Sequence, residues 1–262
     1  YSKYFDVFYK IPYVDKKLKR GAGISMTYTT GREINYRTNE NKLDFYRNEQ
    51  YPYKRFQTEF SYTSRPAYAL IHEWNVSYNY YSISEELFQK NQNFLGGKKK
   101  VNYFELKYAL RYNNTDIRIY PLNGFEIKLL AIKRGLGIDK DINQYIAKSE
   151  IAYYYKITER SSASFVFRGQ FSLPVKQPYF LSQALGFKNE YARGYEYYVI
   201  DGSSFGLLRA NLRYKIANTV LRPKGVKVFE YIPLGIYAKV YNDIAYAYSA
   251  NPLNSKLNNQ FI

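Results

Sequence analysis

The sequence has no cysteine, and only one histidine, one methionine and one tryptophan in 262 residues. Without cysteine there is no disulfide framework, no thiolate metal site and no Cys nucleophile. One histidine excludes a multi-histidine metal centre. Long apolar runs are missing as well. The longest are about five residues, such as 151–155, whereas a membrane-crossing helix needs about 20. A helical membrane protein is therefore excluded. The first residues carry neither an initiating Met nor the apolar core of a signal peptide, so a mature or partial chain is expected. Acidic residues are scarce, with 22 Asp and Glu against 39 Lys and Arg, a net charge of +17.

Aromatic residues are abundant instead. There are 33 Tyr and 17 Phe, and apolar residues make up 46% of the chain. That is too much apolar surface for a disordered chain.

The dominant pattern has period two, the signature of strands with unlike faces. From Ala163, one face reads Ala163, Phe165, Phe167, Gly169, Phe171, Leu173, and the other Ser162, Ser164, Val166, Arg168, Gln170, Ser172. From Leu208, the faces are Leu208, Ala210, Leu212, Tyr214, Ile216 and Arg209, Asn211, Arg213, Lys215. Near the end, Tyr237, Lys239, Tyr241 and Asp243 oppose Ile236, Ala238, Val240 and Ile244. The pattern predicts about ten strands, near 4–14, 19–30, 52–63, 67–80, 101–113, 123–136, 142–156, 160–173, 203–217 and 233–248. Each is long enough to cross a bilayer as a tilted strand. Short connections largely alternate with long ones at about 31–51, 81–100 and 174–202. Short periplasmic turns and long outer loops are the plan of an outer-membrane barrel. A soluble β-sandwich gives the same alternation. Two features favour the barrel: the tyrosines, which concentrate at membrane interfaces, and the Arg and Lys in mid-strand on the polar face, suited to a wet lumen. The expected fold class is all-β, an antiparallel transmembrane β-barrel, with 1–262 as a single barrel domain. No helix of convincing length is predicted.

One stretch is more specific than the alternation. It runs Ala184-Leu185-Gly186-Phe187, then Tyr191-Ala192-Arg193-Gly194-Tyr195-Glu196, then Asp201-Gly202, and leads into the strand from Leu207 to Ile216. A second stretch is Asp116-Ile117-Arg118 followed by Tyr120-Pro121-Leu122-Asn123-Gly124, in which Pro121 and Gly124 suit a tight turn. A third is Tyr241-Asn242-Asp243-Ile244-Ala245. In this order, and on strands of this parity, the three resemble the BamA-type outer-membrane assembly and translocation superfamily. Its signature is an Arg-Gly-Tyr or Arg-Gly-Phe tripeptide on a long outer loop folded back into the barrel. Its periplasmic turn usually reads Asp-x-Arg before Pro-x-x-Gly.

The resemblance implies a barrel of about sixteen strands, of which this chain offers about ten. It implies a longer protein that also contains the first three strands, the last two or three, and preceding POTRA domains. It further implies that Arg193 points into the lumen and pairs with an inner-wall acid, for which Asp243 has the right parity. A guanidinium on a carboxylate gives a directional, charge-assisted contact. Asn211 stands where relatives commonly carry Glu, so the contact would rest more on Asp243. Gly194 would allow a tight backbone and Tyr195 would lie against the lumen wall.

The function so implied is insertion of outer-membrane proteins without chemical catalysis and without a cofactor or metal. The seam would thin the bilayer and template client strands by β-augmentation. The implied partners are unfolded outer-membrane protein clients, outer-membrane lipids and lipopolysaccharide, and periplasmic or lipoprotein accessory subunits. The implied location is the bacterial outer membrane. The alternative in the same superfamily is a dedicated transporter of the two-partner or surface-antigen type. A porin, an outer-membrane hydrolase and a soluble adhesin are less favoured.

The remaining features carry less. His72 shares parity with Leu70, Trp74 and Val76, the presumed lipid face, and lacks the Ser and Asn context of barrel phospholipases. A rim histidine is favoured over a catalytic base. The basic residues are spread over loops and polar faces, not gathered in a nucleic-acid motif, so no nucleic-acid partner is expected. Lys98, Lys99 and Lys100 end a long loop, where lipid A phosphates or plain solvent are the candidate surroundings. Gly96 and Gly97 are too few for a phosphate loop.

Overall fold

The computed structural model describes residues 2–137, 142–221, 231–250 and 255–262. In chain order the elements are β1 (Ser2–Ile11), β2 (Arg20–Gly31), β3 (Glu33–Asn39), β4 (Lys42–Arg47), β5 (Tyr53–Ala67), β6 (Leu70–Ile83), α1 (Glu85–Lys90), β7 (Lys100–Thr115) and β8 (Gly124–Arg134). They continue with β9 (Gln144–Lys156), β10 (Ser161–Leu173), β11 (Gln183–Leu185), β12 (Ile200–Asp201), β13 (Ser204–Leu221) and β14 (Ile232–Tyr248). All ten predicted strands are present, with ends moved by a few residues.

Ten strands form one antiparallel sheet in the order β1-β2-β5-β6-β7-β8-β9-β10-β13-β14. Every pairing is between strands that neighbour each other in this meander, and the ladders are long. β6 and β7 pair from Leu70↔Tyr112 to Ser82↔Lys100 without a shift. Among the described residues no ladder joins β1 to β14; the far side of β14 is bonded at Ala245 and Ala247 by residues 259–262.

The two faces decide the fold class. On β6, Trp74 (42% exposed) and Val76 (44%) alternate with Asn75 (5%) and Ser77 (2%). On β10, Phe165 and Phe167 are exposed while Ser164, Gln170 and Ser172 are buried. A sandwich in water would bury the aromatic side. Here the apolar face is outward and the small polar face inward, which is favourable only when the outer solvent is hydrocarbon. No helix among the described residues is long and apolar enough to cross a membrane.

The long connections carry structure that periodicity missed. The loop after β2 contains the β3–β4 hairpin, turned at Glu40 and Asn41, both with positive φ (47° and 60°). The loop after β6 contains α1, whose N-cap Ser84 side chain accepts from the Leu87 N–H. These loops bury Leu87, Phe94 and Leu95 against Tyr81, Ile83, Val101 and Tyr103 at one end of the strands. A second cluster joins Ala184, Leu185, Ala192 and Ile200 of the long loop to Phe205, Leu207, Ala245 and Ala247 of β13 and β14. Phe205 and Leu207 share the inward parity of Arg209, so this loop lies on the inner wall.

Candidate functional site

The site is built where the long loop meets β13 and β14. In the β13–β14 register, Arg209 faces Asp243 and Asn211 faces Tyr241. Antiparallel pairing thus sets four inward side chains in one small patch. The loop is led there by β10. Arg168 donates to the carbonyl of Asn189 (2.9 Å), Gln170 to that of Gln183 (3.1 Å) and Ser172 to that of Ser203 (2.7 Å).

Arg193 lies at the centre. Its backbone N–H donates to Asp243 Oδ2 (2.9 Å), its Nε to both carboxylate oxygens (3.0 and 2.9 Å), and its Nη2 to Oδ1. Its remaining Nη1 donates to Asn211 Oδ1 at 2.6 Å. The Tyr241 ring lies 4.1 Å from the guanidinium carbon, a cation–π contact. Both charges are largely withdrawn from solvent, the side chains being 16% and 4% exposed. The ordering cost of the Arg side chain is therefore offset by several directional bonds, unlike at a surface pair.

A second cation shares the carboxylate. Arg209 Nε is 3.5 Å from Asp243 Oδ2, and Arg209 Nη2 donates to the carbonyl of Tyr191. Tyr191 and Arg193 are thus both tied to the wall through backbone groups. Gly194 then takes φ +92°, a left-handed conformation that favours glycine. Its N–H is capped by the Glu196 carboxylate at 3.0 Å. The Tyr195 ring lies 6.0 Å from that of Tyr198; the tyrosine in contact with Arg193 is Tyr241.

Asp201 and Gly202 stand at the end of the loop. Asp201 pairs with Gln183, and its carbonyl accepts from Asn258 Nδ2 (2.7 Å). A Cβ at Gly202 would lie 2.4 Å from the Tyr248 carbonyl, so only glycine fits. Burial, opposed in part by the Thr38 hydroxyl, pushes the Asp201 carboxyl up to about 6.

The turn residues are at the opposite end of the strands. Asp116 accepts from the N–H groups of Ile117 (2.8 Å) and Leu122 (3.0 Å). Although burial opposes it, these bonds and that of Asn123 hold the carboxyl below its ordinary value. Gly124 closes the turn with φ +109°. Arg118 lies over the Tyr68 ring at 5.5 Å. The turn does not touch Arg193.

Three residues escaped the sequence reading. Arg209 was legible as an inward cation, but parity alone does not choose among Arg209, Arg213 and Lys215. Arg213 donates to the Pro121 carbonyl (2.6 Å), a contact across the interior that no local pattern signals. Asn41 joins three segments: its Nδ2 donates to the Val199 carbonyl (3.0 Å) and its Oδ1 accepts from Lys256 and Leu257 N–H (3.1 and 3.2 Å). His72 bonds the Tyr108 hydroxyl through Nδ1 (2.8 Å) and stacks on Trp74 in an aromatic cluster on the outer face. Among the described residues no group of three His, Asp or Glu is placed to hold a metal.

A family model described as the Omp85 superfamily domain matches residues 1–209. The match includes Arg193 and stops short of Asn211 and Asp243. Among solved structures the fold is similar to BamA from Haemophilus ducreyi lacking POTRA domains 1-3, with a TM-score of 0.64 and 12% identity over 95% of this chain. The chain spans 50% of that one. None of the curated proteins is a significant match.

Proposed function

The chain belongs to the Omp85 superfamily of outer-membrane insertion and transport barrels, and from that premise we propose that it is the barrel of a BamA-like insertase. The observation that carries this reading is the fork of Arg193 on Asp243, between the long outer loop and β14. The superfamily is one of assembly and transport, and the work assigned to this barrel is mechanical.

Asp243 lies on β14, whose far side is bonded at Ala245 and Ala247 by residues 259–262. The template on this reading is the edge of the barrel's first strand at the seam, on which an incoming strand pairs by β-augmentation. A template is useful only if the register of the wall that carries it is fixed. Arg193 fixes it by holding Asp243, while Arg209, the cross-strand neighbour of Asp243 on β13, holds the Tyr191 carbonyl. The loop therefore pins the last two strands against each other from the lumen side. The client pairs strand by strand and leaves when its own barrel closes. The driving free energy is the burial of client apolar surface in lipid, so neither nucleotide nor cofactor takes part. The partners on this reading are unfolded outer-membrane protein clients, lipids and lipopolysaccharide of the outer membrane, and periplasmic or lipoprotein accessory subunits. The place of action is the outer membrane.

The test is conditional depletion of the protein followed by quantitative proteomics of the outer membrane. Broad loss of barrel proteins is expected. Loss of one secreted protein with other barrels intact would make the chain a dedicated transporter. Complementation with Arg193→Ala is expected to fail, and full complementation would overturn the role given to the fork.

A further inference from the structure

Asn211 and Arg213 are adjacent inward residues of β13, and both reach the same hydroxyl. Asn211 Nδ2 donates to Ser164 Oγ at 3.0 Å and Arg213 Nη2 donates to it at 3.1 Å. Ser164 is 1% exposed and faces Asn211 in the β10–β13 register. Asn211 spends its other end on Arg193, at 2.6 Å. Arg213 spends its other end on the Pro121 carbonyl, at 2.6 Å. The turn that carries Pro121 joins β7 to β8, and two strands, β9 and β10, separate β8 from β13 in the sheet. The turn therefore reaches across the interior. It is held there by Arg213, whose guanidinium carbon lies 4.6 Å from the Tyr120 ring, and by the Tyr120–Tyr237 ring contact at 5.2 Å.

We infer that Asn211, Ser164 and Arg213 form a polar relay coupling the long outer loop to the β7–β8 turn at the other end of the strands. This rests on the reading of Arg193 given above and adds a regulated element to it. The three are positioning residues. Ser164 and Arg213 are buried, and a buried polar group left without its partner is costly, so when release of Arg193 turns Asn211 away, Ser164 and Arg213 must re-pair. Asn suits this link because its amide both accepts and donates. A carboxylate at 211 would only accept, and Ser164 would have to supply the proton.

The chain has no native cysteine, so single nitroxide labels report each end. Tyr197→Cys reports the loop and Ile119→Cys the turn; the native side chains are 91% and 96% exposed. With the full chain in liposomes, Arg193→Ala is expected to mobilise the label at 119, and Arg213→Ala the label at 197. Coupling is reciprocal by linkage, and the ratio of mobile to immobile signal should rise about fivefold in each direction. Ser164→Ala, which removes one buried hydroxyl and touches neither end, should mobilise both labels, and Ser164→Thr should mobilise neither. If each arginine variant loosens only its own end, or Ser164→Ala moves neither label, the relay is refuted. A variant Arg193→Ala that fails to complement but leaves the label at 119 unchanged refutes the relay alone.

Discussion

Arg209 and Asp243 are direct cross-strand neighbours on the inner face, yet their side chains approach only to 3.5 Å. The carboxylate is turned instead to Arg193, 50 residues earlier in the chain. One carboxylate therefore balances two guanidinium groups. Asp243→Asn removes that charge while keeping the shape. It leaves Arg193 and Arg209 facing each other, mostly desolvated, and breaking one side of such a pair costs about 3 kcal/mol. The expected result is a lower urea midpoint for the folded barrel and earlier tryptic cleavage at Lys188. An unchanged midpoint and cleavage pattern would show that the pair contributes nothing to holding the loop.

Asn41 is the second anchor of the outer loops. It is 2% exposed and sits at φ 60°. Its side chain satisfies one carbonyl and two N–H groups on segments more than 150 residues away. Asn41→Gly keeps the backbone conformation and deletes all of these bonds. Each buried group so stranded costs about 1–3 kcal/mol. Faster hydrogen exchange is expected at the amides of residues 256 and 257, which lose the Asn41 Oδ1 acceptor, with the ladder of β6 and β7 unaffected. Unchanged protection at 256 and 257 would remove Asn41 from the anchor.

Whether a feature was legible in the sequence depended on the range of the contact behind it. The strands were legible because lipid outside and water inside write period two into each one, as in β10, where Phe165 and Phe167 alternate with Ser164 and Arg168. The partners of β13 were legible for a related reason, since parity put Arg209, Asn211 and Arg213 on one face. Parity does not say which inward cation meets which acid; the register Arg209↔Asp243 and the returning loop decide that. The β3–β4 hairpin had only a weak local signal, since Asn41 tolerates the positive φ of a two-residue turn but Glu40 before it does not favour it. The reach of Arg213 to Pro121 had no signal, because it depends on the curvature of the wall.

Gly124 closes the β7–β8 turn, and its φ of +109° is one that side chains rarely adopt. A Cβ there would lie 2.1 Å from the Asn114 carbonyl oxygen. Gly124→Ala must therefore shift the first pair of the ladder, Thr115↔Gly124. The strain of a left-handed non-glycine residue alone is about 1–2 kcal/mol, and the clash adds to it. The barrel should still form, since ten further pairs of that ladder remain. The nitroxide at 119 should gain mobility while one at 197 follows it only if the relay holds. A turn label indistinguishable from the parent would mean that the backbone accommodates alanine without moving.

Asp201 gives the outer loops a pH dependence of definite sign. Its Oδ1 is buried without a hydrogen-bond partner among the described residues. It borders an open cavity of about 830 Å³ that is also lined by Arg37, Lys90, Lys176 and Tyr179. Arg37 is engaged by Asp44 (2.6 Å), and burial pushes Tyr179 up to about 12, so neither changes charge near neutrality. Asp201 itself is pushed up to about 6 from an ordinary value of 3.8. A folded value above the unfolded one means that the folded state binds the proton more tightly. The stabilisation is therefore complete below pH about 4 and is lost as the pH rises through about 6. The label at 197 should be least mobile at pH 4.5 and more mobile at pH 7.5. Asp201→Asn should abolish the difference and keep the loop at its low-pH mobility throughout. Mobility that increases on acidification, or a pH response that survives the substitution, would show that another group governs the loop.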